Sequence, residues 1–535
     1  MALLLLCCLL VRASLAAAPT VQTTTGPVTG LDLGSVYAYL GIPFAQAVRW
    51  GPPQPASPWA SVLNASSFGA GCVQFAPAPA HPGAGAAVLQ EAEDCLTLNV
   101  WVPRVQAQGQ PLITWIHGGG FVGGSGASDF SLYASATGAV VIALNYRLGS
   151  LGFLALEGMA PAHPPPADPS AACANVGLLD QQAGLHWARA NARAFGADPA
   201  HALLSGQSAG GSSVLFHLTL PGSYATYRAA LVQSPGSPTN SLASGRATAA
   251  ALAARLGCSA AALPAFAQQL ACLRAVPAAA LVAAAVAAAG TSNLPLTLGP
   301  VVDGALVAAS PAAALLAGAF NLNATVLVTE TLYEGDSLLV GYTHSPVLTP
   351  SGAAAALAQF GVQVGLPSQA LASVAAAYAP LAAQLAPFNA SSRVWGDGLI
   401  ACAAAWAARG AAAHSLAPAY RLLLNTTLPG PGQPAGRATH GTDLSVLHEG
   451  QAPAVAADLW AWVGNAAVSG DPNQGRPASR AWPRYQGSSA GGGCWLSQRG
   501  RCTACSASGR RSCATACGWA YCPSSLPVGD LWGLL

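Results

Sequence analysis

A serine within a glycine-rich turn is the residue whose surroundings most clearly indicate chemistry. Ser208 is the centre of a G-x-S-x-G pattern over residues 206–210, which follows an apolar run at 202–205 and precedes a helix-like run at 212–218. A serine at a sharp strand-to-helix turn is held in strained backbone angles, tolerates only small neighbours and has an exposed hydroxyl. The five-residue pattern alone would be weak in a chain with 59 Gly. Its strand–turn–helix context favours a nucleophile over an ordinary loop.

A second glycine cluster could supply backbone N–H groups to an oxyanion. His117 is followed by three consecutive Gly, at the end of the strand-like run 111–117. Glycines let the backbone turn several N–H groups toward one point without Cβ clashes. The same stretch also fits G-x-G-x-x-G, a dinucleotide-binding pattern that would require an acidic residue at the end of the next strand. That strand ends in Asn145-Tyr146-Arg147, so dinucleotide binding is disfavoured.

The elements that must position these residues alternate between strand-like and helix-like patterns. Helical spacing over 176–195 follows Asn175, a predicted N-cap. Alanine-rich segments at 248–289 and 352–379 are predicted to be helical insertions. Short apolar runs predicted to be buried strands lie at 111–117, 139–144, 202–205, 229–233 and 324–328. This alternation predicts an α/β fold with a large, mostly parallel central sheet flanked by helices.

Composition excludes several functional classes. The 535 residues are 53% hydrophobic and 7% charged, which excludes a disordered chain. The net charge of +2, from 21 basic and 19 acidic residues, provides no basic face for nucleic acid. The sequence contains no lysine, so a P-loop and Schiff-base chemistry are both excluded.

The N-terminus and the cysteines predict export from the cell. Residues 1–18 form an apolar run followed by small residues, with Ser14-Leu15-Ala16 fitting a signal-peptide cleavage site. A buried N-terminal helix is the alternative. No later window is apolar enough to predict a transmembrane helix. Removal of Cys7 and Cys8 would leave 12 of 14 Cys, an even number typical of disulfides in an oxidising compartment. Predicted N-glycosylation sites are Asn64, Asn323, Asn389 and Asn425.

Taken together, the motifs resemble the type-B carboxylesterase family, the cholinesterase-like branch of the α/β hydrolases. The resemblance covers about residues 21–485 and implies one α/β-hydrolase domain, which we place at 19–486. A Gly-, Ser- and Cys-rich tail of unknown role follows at 487–535. Besides the two glycine motifs, the matching stretches are GIPFA at 41–45, EDCLTLNV at 93–100, NYR at 145–147, FGADP at 195–199, PVVDG at 300–304 and WPRY at 482–485.

The resemblance implies a Ser-Glu-His triad in the chain order of this branch. Among the acidic candidates Glu330, Glu334 and Asp336, Glu334 directly precedes a Gly, as the family's acid does. His440, which precedes Gly441, matches the general base. His448 is the runner-up and is predicted to be a surface helix residue. The implied oxyanion donors are the backbone N–H groups of Gly119, Gly120 and Ala209.

The resemblance also implies disulfides between Cys72 and Cys95 and between Cys258 and Cys272. Cys402 matches a third-bridge position whose partner lies near the C-terminus, and no partner is assigned to Cys173. Two of the tail cysteines, Cys502 and Cys505, form C-x-x-C, a possible zinc motif. The six tail cysteines, for which disulfides are favoured over zinc, are Cys494, Cys502, Cys505, Cys513, Cys517 and Cys522.

Two departures from the family pattern concern the alcohol side of the site. Gln207 stands where the family usually has Glu before the nucleophile, which removes a negative charge. The loop at 73–94 lacks the Trp that stacks on a quaternary ammonium in cholinesterases, so choline selectivity is not expected. The segment 45–51 is also shorter than is usual.

The expected function is that of a secreted serine carboxylesterase that hydrolyses small uncharged carboxylic esters through an acyl-enzyme on Ser208. No metal, cofactor, nucleic acid or transmembrane segment is expected. The alternatives are a lipase of the same family, or a non-catalytic adhesion or binding protein on the same scaffold. Retention of Ser208, Glu334 and His440 argues against the non-catalytic alternative.

Overall fold

A computed structural model describes residues 17–75, 90–104, 109–162, 167–236, 239–288, 298–364, 366–426, 428 and 437–486, and the backbone of 494–497. Its centre is one ten-stranded sheet, in which the strands lie in the order β10-β9-β8-β7-β6-β4-β5-β3-β2-β1. The strands are β1 (Leu31–Asp32), β2 (Val36–Pro43), β3 (Thr97–Pro103), β4 (Gln110–Ile116), β5 (Val140–Leu144), β6 (Ala197–Gln207), β7 (Ala229–Gln233), β8 (Thr325–Thr331), β9 (Ala419–Asn425) and β10 (Cys494–Ser497).

Strands β4 to β10 are parallel, whereas β3 pairs antiparallel with both β5 and β2. The central strands are largely buried; all five residues of β5 and of β7 are buried. Continuous apolar runs suit such strands because helices cover both faces of a parallel sheet. The predicted mostly parallel sheet is therefore present.

Fifteen α-helices surround the sheet within the described residues. They are α1 (Ser131–Thr137), α2 (Gly149–Phe153), α3 (Val176–Asn191), α4 (Ala209–Thr219), α5 (Leu242–Arg255), α6 (Phe266–Ala275), α7 (Ala278–Ala288), α8 (Pro311–Leu316), α9 (Glu334–Thr343), α10 (Pro350–Gln363), α11 (Ser368–Ala382), α12 (Pro387–Gly396), α13 (Cys402–His414), α14 (Thr442–Glu449) and α15 (Pro453–Ser469). One core cluster packs α3, α4 and α13 on one face of the sheet, and another packs α1, α14 and α15 on the opposite face.

The two alanine-rich segments are helical, as predicted, but each is divided. Residues 248–289 contribute to α5, α6 and α7, and 352–379 contribute to α10 and α11. The chain ends α6 at Ala275 before Pro277, and Pro367 precedes the first residue of α11. Proline disfavours continuation of a helix through its own position, which accounts for both interruptions.

Asn175 occupies the predicted N-cap position of α3, but its side chain does not cap the helix. Asn175 precedes α3 in the left-handed region, at φ 56°, and its side chain makes no capping hydrogen bond. Its Oδ1 accepts from the backbone N–H of Val301, and its Nδ2 donates to Val301 O and to Asp303 Oδ2, each at 2.9 Å. These contacts join segments about 126 residues apart, so local sequence carries no signal for them.

Both predicted disulfides, Cys72–Cys95 and Cys258–Cys272, are present. Cys402 is also disulfide-bonded, and its partner lies outside the residues whose side chains are described. Cys173 is a buried free thiol. Five of the tail cysteines, with the C-x-x-C pair, lie wholly outside the described residues, as does most of the predicted signal peptide. No group of three potential metal ligands occurs among the described side chains.

Within the described part of the chain, no single helix is long and apolar enough to cross a membrane. The consecutive helices α6 and α7 together reach that length and composition, with a bend of 114° between them.

Candidate active site

Ser208 lies at the junction of β6 and α4, as the G-x-S-x-G pattern predicts. Its backbone has φ 59° and ψ −123°, a region that non-glycine residues rarely occupy. The strained turn is held from two sides: Ser208 N–H donates to Gln233 O of β7 at 3.0 Å, and Ser208 O accepts from Ser212 N–H at 2.9 Å. Such strain persists only where surrounding structure enforces it, and it is typical of functional sites.

The glycine loop lies beside this turn because β4 and β6 are neighbours. Ile116, the last residue of β4, pairs with Gly206, so the residues that follow each strand meet at the carboxyl edge of the sheet. Gly119 and Gly120 have φ of 110° and 62°, conformations that a Cβ would strain. The backbone N–H groups of these two residues and of Ala209 donate to no other described residue. These are the three groups predicted to face an oxyanion.

Glu334 and His440, which are 106 residues apart in sequence, form a direct hydrogen bond. Glu334 Oε2 lies 2.6 Å from His440 Nδ1. Glu334 Oε1 accepts from Ser234 Oγ and from Thr331 N–H, both at 2.6 Å, so the carboxylate is fixed on both oxygens. Both side chains are buried, with 2% and 8% of their surfaces exposed respectively.

The other acidic candidates have different partners. Glu330 forms a buried ion pair with Arg421, whose Nε lies 2.8 Å from Glu330 Oε1. Asp336 accepts from Ser392 and from Arg437. Of the three acids suggested by the sequence, the structure therefore brings only Glu334 to His440.

The prediction that His448 is a surface helix residue is wrong. His448 lies in the last turn of α14 and packs against the rings of Trp115, Phe130 and Tyr133, with centroid distances of 4.7, 4.7 and 5.1 Å. The helix presents this ring toward the core, in the layer that covers β4. Periodicity alone did not indicate which side of a short helix faces the sheet.

Sequence reasoning did not predict a contact between Gln207 and His440. Gln207 Nε2 lies 3.2 Å from His440 Nε2. In this conformation no hydrogen bond joins Ser208 Oγ to His440, two residues whose side chains the structure describes. Gln207, which directly precedes the nucleophile, therefore contacts Nε2 of His440, the ring nitrogen that Glu334 does not contact.

A second buried carboxylate lies near His440. Asp443, in the first turn of α14, accepts from Gln233 Nε2 at 2.9 Å. Burial and the neighbouring Glu334 charge raise the pKa of Asp443 to about 6. Burial lowers the pKa of His440, but the Glu334 and Asp443 carboxylates more than offset this, so the pKa lies above its usual value.

Aromatic residues that could bind a cation have other partners. The guanidinium of Arg437 lies 4.7 Å from the centroid of the Tyr333 ring. Trp395 is buried, stacks on Tyr342 and donates its Nε1–H to Ala356 O. One face of the Tyr333 ring is therefore already occupied by a cation, and Trp395 is buried against Tyr342.

A small, partly open cavity lies against α4, one turn beyond Ser208. Ser212 and Gly236 contribute to its wall on the side of the elbow. The remaining lining residues are mostly apolar and come from α4, α8 and α13: Leu215, Phe216, Pro311, Ala312, Leu315, Ala403 and Trp406, with Thr239 from the segment before α5.

Comparison with known proteins places this arrangement in a family. The sequence model of the carboxylesterase family matches residues 17–492. The chain is 42% identical to an acetylcholinesterase from Gallus gallus over 264 residues, covering 45% of this chain and 33% of that protein. It is 37% identical to an acetylcholinesterase from Bungarus fasciatus, with coverages of 48% and 44%, and 36% identical to a cholinesterase from Mus musculus, with coverages of 41% and 37%.

The matched segments span less than half the length of these relatives. The family match itself extends over nearly the whole chain, so the predicted resemblance and the predicted α/β-hydrolase fold are both confirmed. On the match over residues 17–492, together with the parallel sheet and the serine elbow at its carboxyl edge, the chain belongs to the carboxylesterase family.

Proposed function

We propose that this protein hydrolyses carboxylic esters, with Ser208 as nucleophile, His440 as general base and Glu334 as the acid that orients the base. The observation that carries the proposal is the 2.6 Å bond from Glu334 to His440 beside the strained Ser208 turn. A carboxylate on Nδ1 fixes the imidazole tautomer and stabilises the imidazolium that forms when the serine loses its proton.

The reaction would proceed in two acyl-transfer steps. Ser208 Oγ attacks the ester carbonyl carbon while its proton moves to His440 Nε2, and the carbonyl oxygen becomes an oxyanion facing the N–H groups of Gly119, Gly120 and Ala209. Collapse breaks the bond to the alcohol, which takes the proton from His440. Water, deprotonated by His440, then attacks the acyl carbon and releases the acid and the Ser208 hydroxyl.

The substrates we propose have an uncharged alcohol group. Gln207 carries no charge, the loop at 73–94 has no Trp, and Arg437 already occupies one face of Tyr333. These features argue against the choline esters that the names of the relatives suggest. The apolar cavity beside α4 supports an apolar acyl group.

The same scaffold could serve as a lipase or as a non-catalytic binding protein. A binding protein has no need of a carboxylate fixed on both oxygens against a buried histidine, so catalysis is favoured. Activity on short dissolved esters, compared with activity on an emulsified long-chain ester, distinguishes an esterase from a lipase.

We further propose that the protein is secreted and glycosylated. Two disulfides between described residues support an oxidising compartment, and Asn64 and Asn323 are exposed. The predicted signal peptide, residues 1–18, includes Ala18, which is buried and whose N–H donates to Gly30 O. We therefore propose cleavage after Ala16, which leaves Ala18 in place. Sequencing of the secreted protein should therefore find Ala17 at its N-terminus, and an uncleaved Met1 would contradict this proposal.

The substrate proposal is tested with a matched pair of esters. The choline ester of a short acid and its uncharged isostere, the 3,3-dimethylbutyl ester, should react with similar kcat/KM. A desolvated cation–π site would favour the choline ester by about 2 kcal/mol, roughly thirtyfold. Such a preference would contradict the proposal for uncharged substrates. A p-nitrophenyl ester series of increasing acyl length would show the size of the acyl site.

A further inference from the structure

Gln207 contacts the ring nitrogen that a general base must keep available. A neutral imidazole carries one proton, and His440 Nδ1 faces the Glu334 carboxylate, which can only accept. Nδ1 therefore holds the proton and Nε2 has the lone pair. At 3.2 Å, the Gln207 amide is placed to donate its N–H to that lone pair.

The position of the Gln207 amide is constrained on all sides. Gln207 is fully buried, and its Oε1 has no hydrogen-bond partner among the described residues. A Cβ added to Gly118 would lie 3.3 Å from this Oε1 and 2.7 Å from Gln207 O, so the side chain packs against the first glycine of the oxyanion loop. Rotating the amide by 180° would place Oε1 against the Nε2 lone pair, which the neutral ring disfavours.

We propose that Gln207 is a positioning residue that occupies Nε2 of His440 in the resting enzyme, and that the Ser208 hydroxyl must displace it before acylation. This inference rests on the proposed function. One hydrogen bond to Nε2 is exchanged for another, after which the proton moves from Ser208 Oγ to Nε2 as Oγ bonds to the carbonyl carbon.

The hydrogen bond from Gln207 should change the pKa of His440 in a direction that can be measured. A donor to Nε2 stabilises the neutral form of His440 and so opposes its protonation. The charged groups facing the ring are the carboxylates of Glu334 on α9 and Asp443 on α14, both of which favour protonation. Glu330 is nearby but is paired with Arg421. These charged groups are the same in Gln207→Met. A shift in the pKa of His440 in that variant therefore reports the loss of the amide donor.

The experiment measures kcat/KM for a short p-nitrophenyl ester between about pH 5 and pH 9, where the acidic limb reports the base of the free enzyme. Gln207→Met, which keeps the volume and removes the donor, should move this limb to higher pH by roughly half to one unit. It should also raise the plateau by about fivefold, because the lone pair is released to Ser208. Gln207→Glu should move the limb further, because a carboxylate favours the imidazolium.

Gln363→Met is the matched control, since Gln363 on α10 is also buried with an unpartnered Oε1. Gln363→Met should leave the acidic limb of the kcat/KM profile at the same pH. If Gln207→Met does not fold, Gln207→Leu, which also lacks a donor and adds no charge, decides. A limb that stays in place in the Gln207 variants, or that moves to lower pH in Gln207→Met, overturns the inference while leaving the triad standing. A wild-type protein that neither hydrolyses esters nor reacts at Ser208 overturns the proposed function, and this inference with it.

Discussion

At the scale of single residues, the two ring nitrogens of His440 have different partners, and each partner has a separate consequence. Glu334 fixes Nδ1 and is itself fixed by Ser234 and Thr331. Nε2 faces the Gln207 amide rather than the Ser208 hydroxyl. The base is thus oriented before substrate arrives, whereas its bond to the nucleophile has still to form.

Replacement of the two neighbouring glutamates should separate catalysis from stability. Glu334→Gln should lower kcat by about 10⁴-fold with little loss of stability, because an amide supports the wrong imidazole tautomer. From the sequence, Glu330→Gln would be mild. The structure instead predicts a folding defect of about 3–5 kcal/mol, because the buried Arg421 would lose the carboxylate with which it forms an ion pair. Kinetics and denaturant titration of both variants measure the two effects. A strongly reduced kcat in a well-folded Glu330→Gln variant would contradict the assignment of Glu334 as the acid.

The raised pKa of Asp443 predicts a pH-dependent stability. Burial raises its pKa from 3.8 to about 6, so between these values the native state binds more protons than the unfolded state. The free energy of unfolding therefore falls as pH rises through this window. Asp443→Asn, which cannot ionise, should raise the Tm by a few degrees at pH 7.5 and by little at pH 4.

Asp129→Asn, at an exposed side chain, is the control and should show no such pH dependence. An Asp443→Asn variant with the same change in Tm at both pH values would mean that burial does not penalise the Asp443 charge.

At the scale of elements, the site depends on how closely α4 approaches the end of β4. Small residues permit this approach: a Cβ added to Gly210 would lie 2.0 Å from Ile116 O. Ile116 is the last residue before the oxyanion loop. Any displacement of α4 therefore changes the distance between Ser208 and the N–H groups that would face the oxyanion.

Gly210→Ala should reduce kcat by at least tenfold, because relieving the contact with Ile116 O requires a helix shift of about 1 Å, which misplaces the oxyanion donors. Gly341→Ala is the matched control, since its Cβ would meet nothing within 4 Å on α9. That variant should keep full activity and gain up to about 1 kcal/mol in stability from helix propensity. Unchanged kinetics in Gly210→Ala would show that the elbow tolerates the shift.

The sequence allowed prediction of those features that depend on local pattern. The strands and the elbow follow from runs of residue types and from motif order, whereas the pairing of Glu334 with His440 was implied by the family resemblance. The contacts of Asn175, Gln207 and His448 were not predictable, because each joins segments that only the folded sheet brings together. Gln207 and His440, for example, are 233 residues apart, and no periodicity relates them.

At the scale of the whole molecule, one sheet positions every part of the site. Two disulfides each close a segment of chain outside this sheet. Strands β4, β6, β7, β8 and β9 bring their carboxyl ends to the same edge. Cys258–Cys272 closes the connection between α5 and α6, and Cys72–Cys95 closes the segment before β3. The segment closed by Cys72–Cys95 reaches the loop after β4, where Gly124 N–H donates to Gln74 Oε1 at 2.8 Å. The segment closed by Cys258–Cys272 makes no hydrogen bond to the site among the described residues.

Loss of a disulfide should consequently lower stability more than it lowers catalysis. Replacing Cys258 and Cys272 together by Ala opens a bridge of sequence separation 14 and should cost about 3 kcal/mol. Cys173→Ala, at the buried free thiol, should cost less because it removes packing alone. Thermal unfolding compares the two variants, and equal losses would mean that the bridge adds nothing beyond packing.

The most direct test of the central claim is fluorophosphonate labelling followed by peptide mass spectrometry and ester kinetics. The account predicts one label per chain, on Ser208, with hydrolysis lost in proportion to labelling. Ser208→Ala should resist the label and lose on the order of 10⁶ in turnover. Ser373→Ala, on the exposed side of α11, should retain both labelling and activity. A label on another residue, or near-full hydrolysis by Ser208→Ala, would contradict the account.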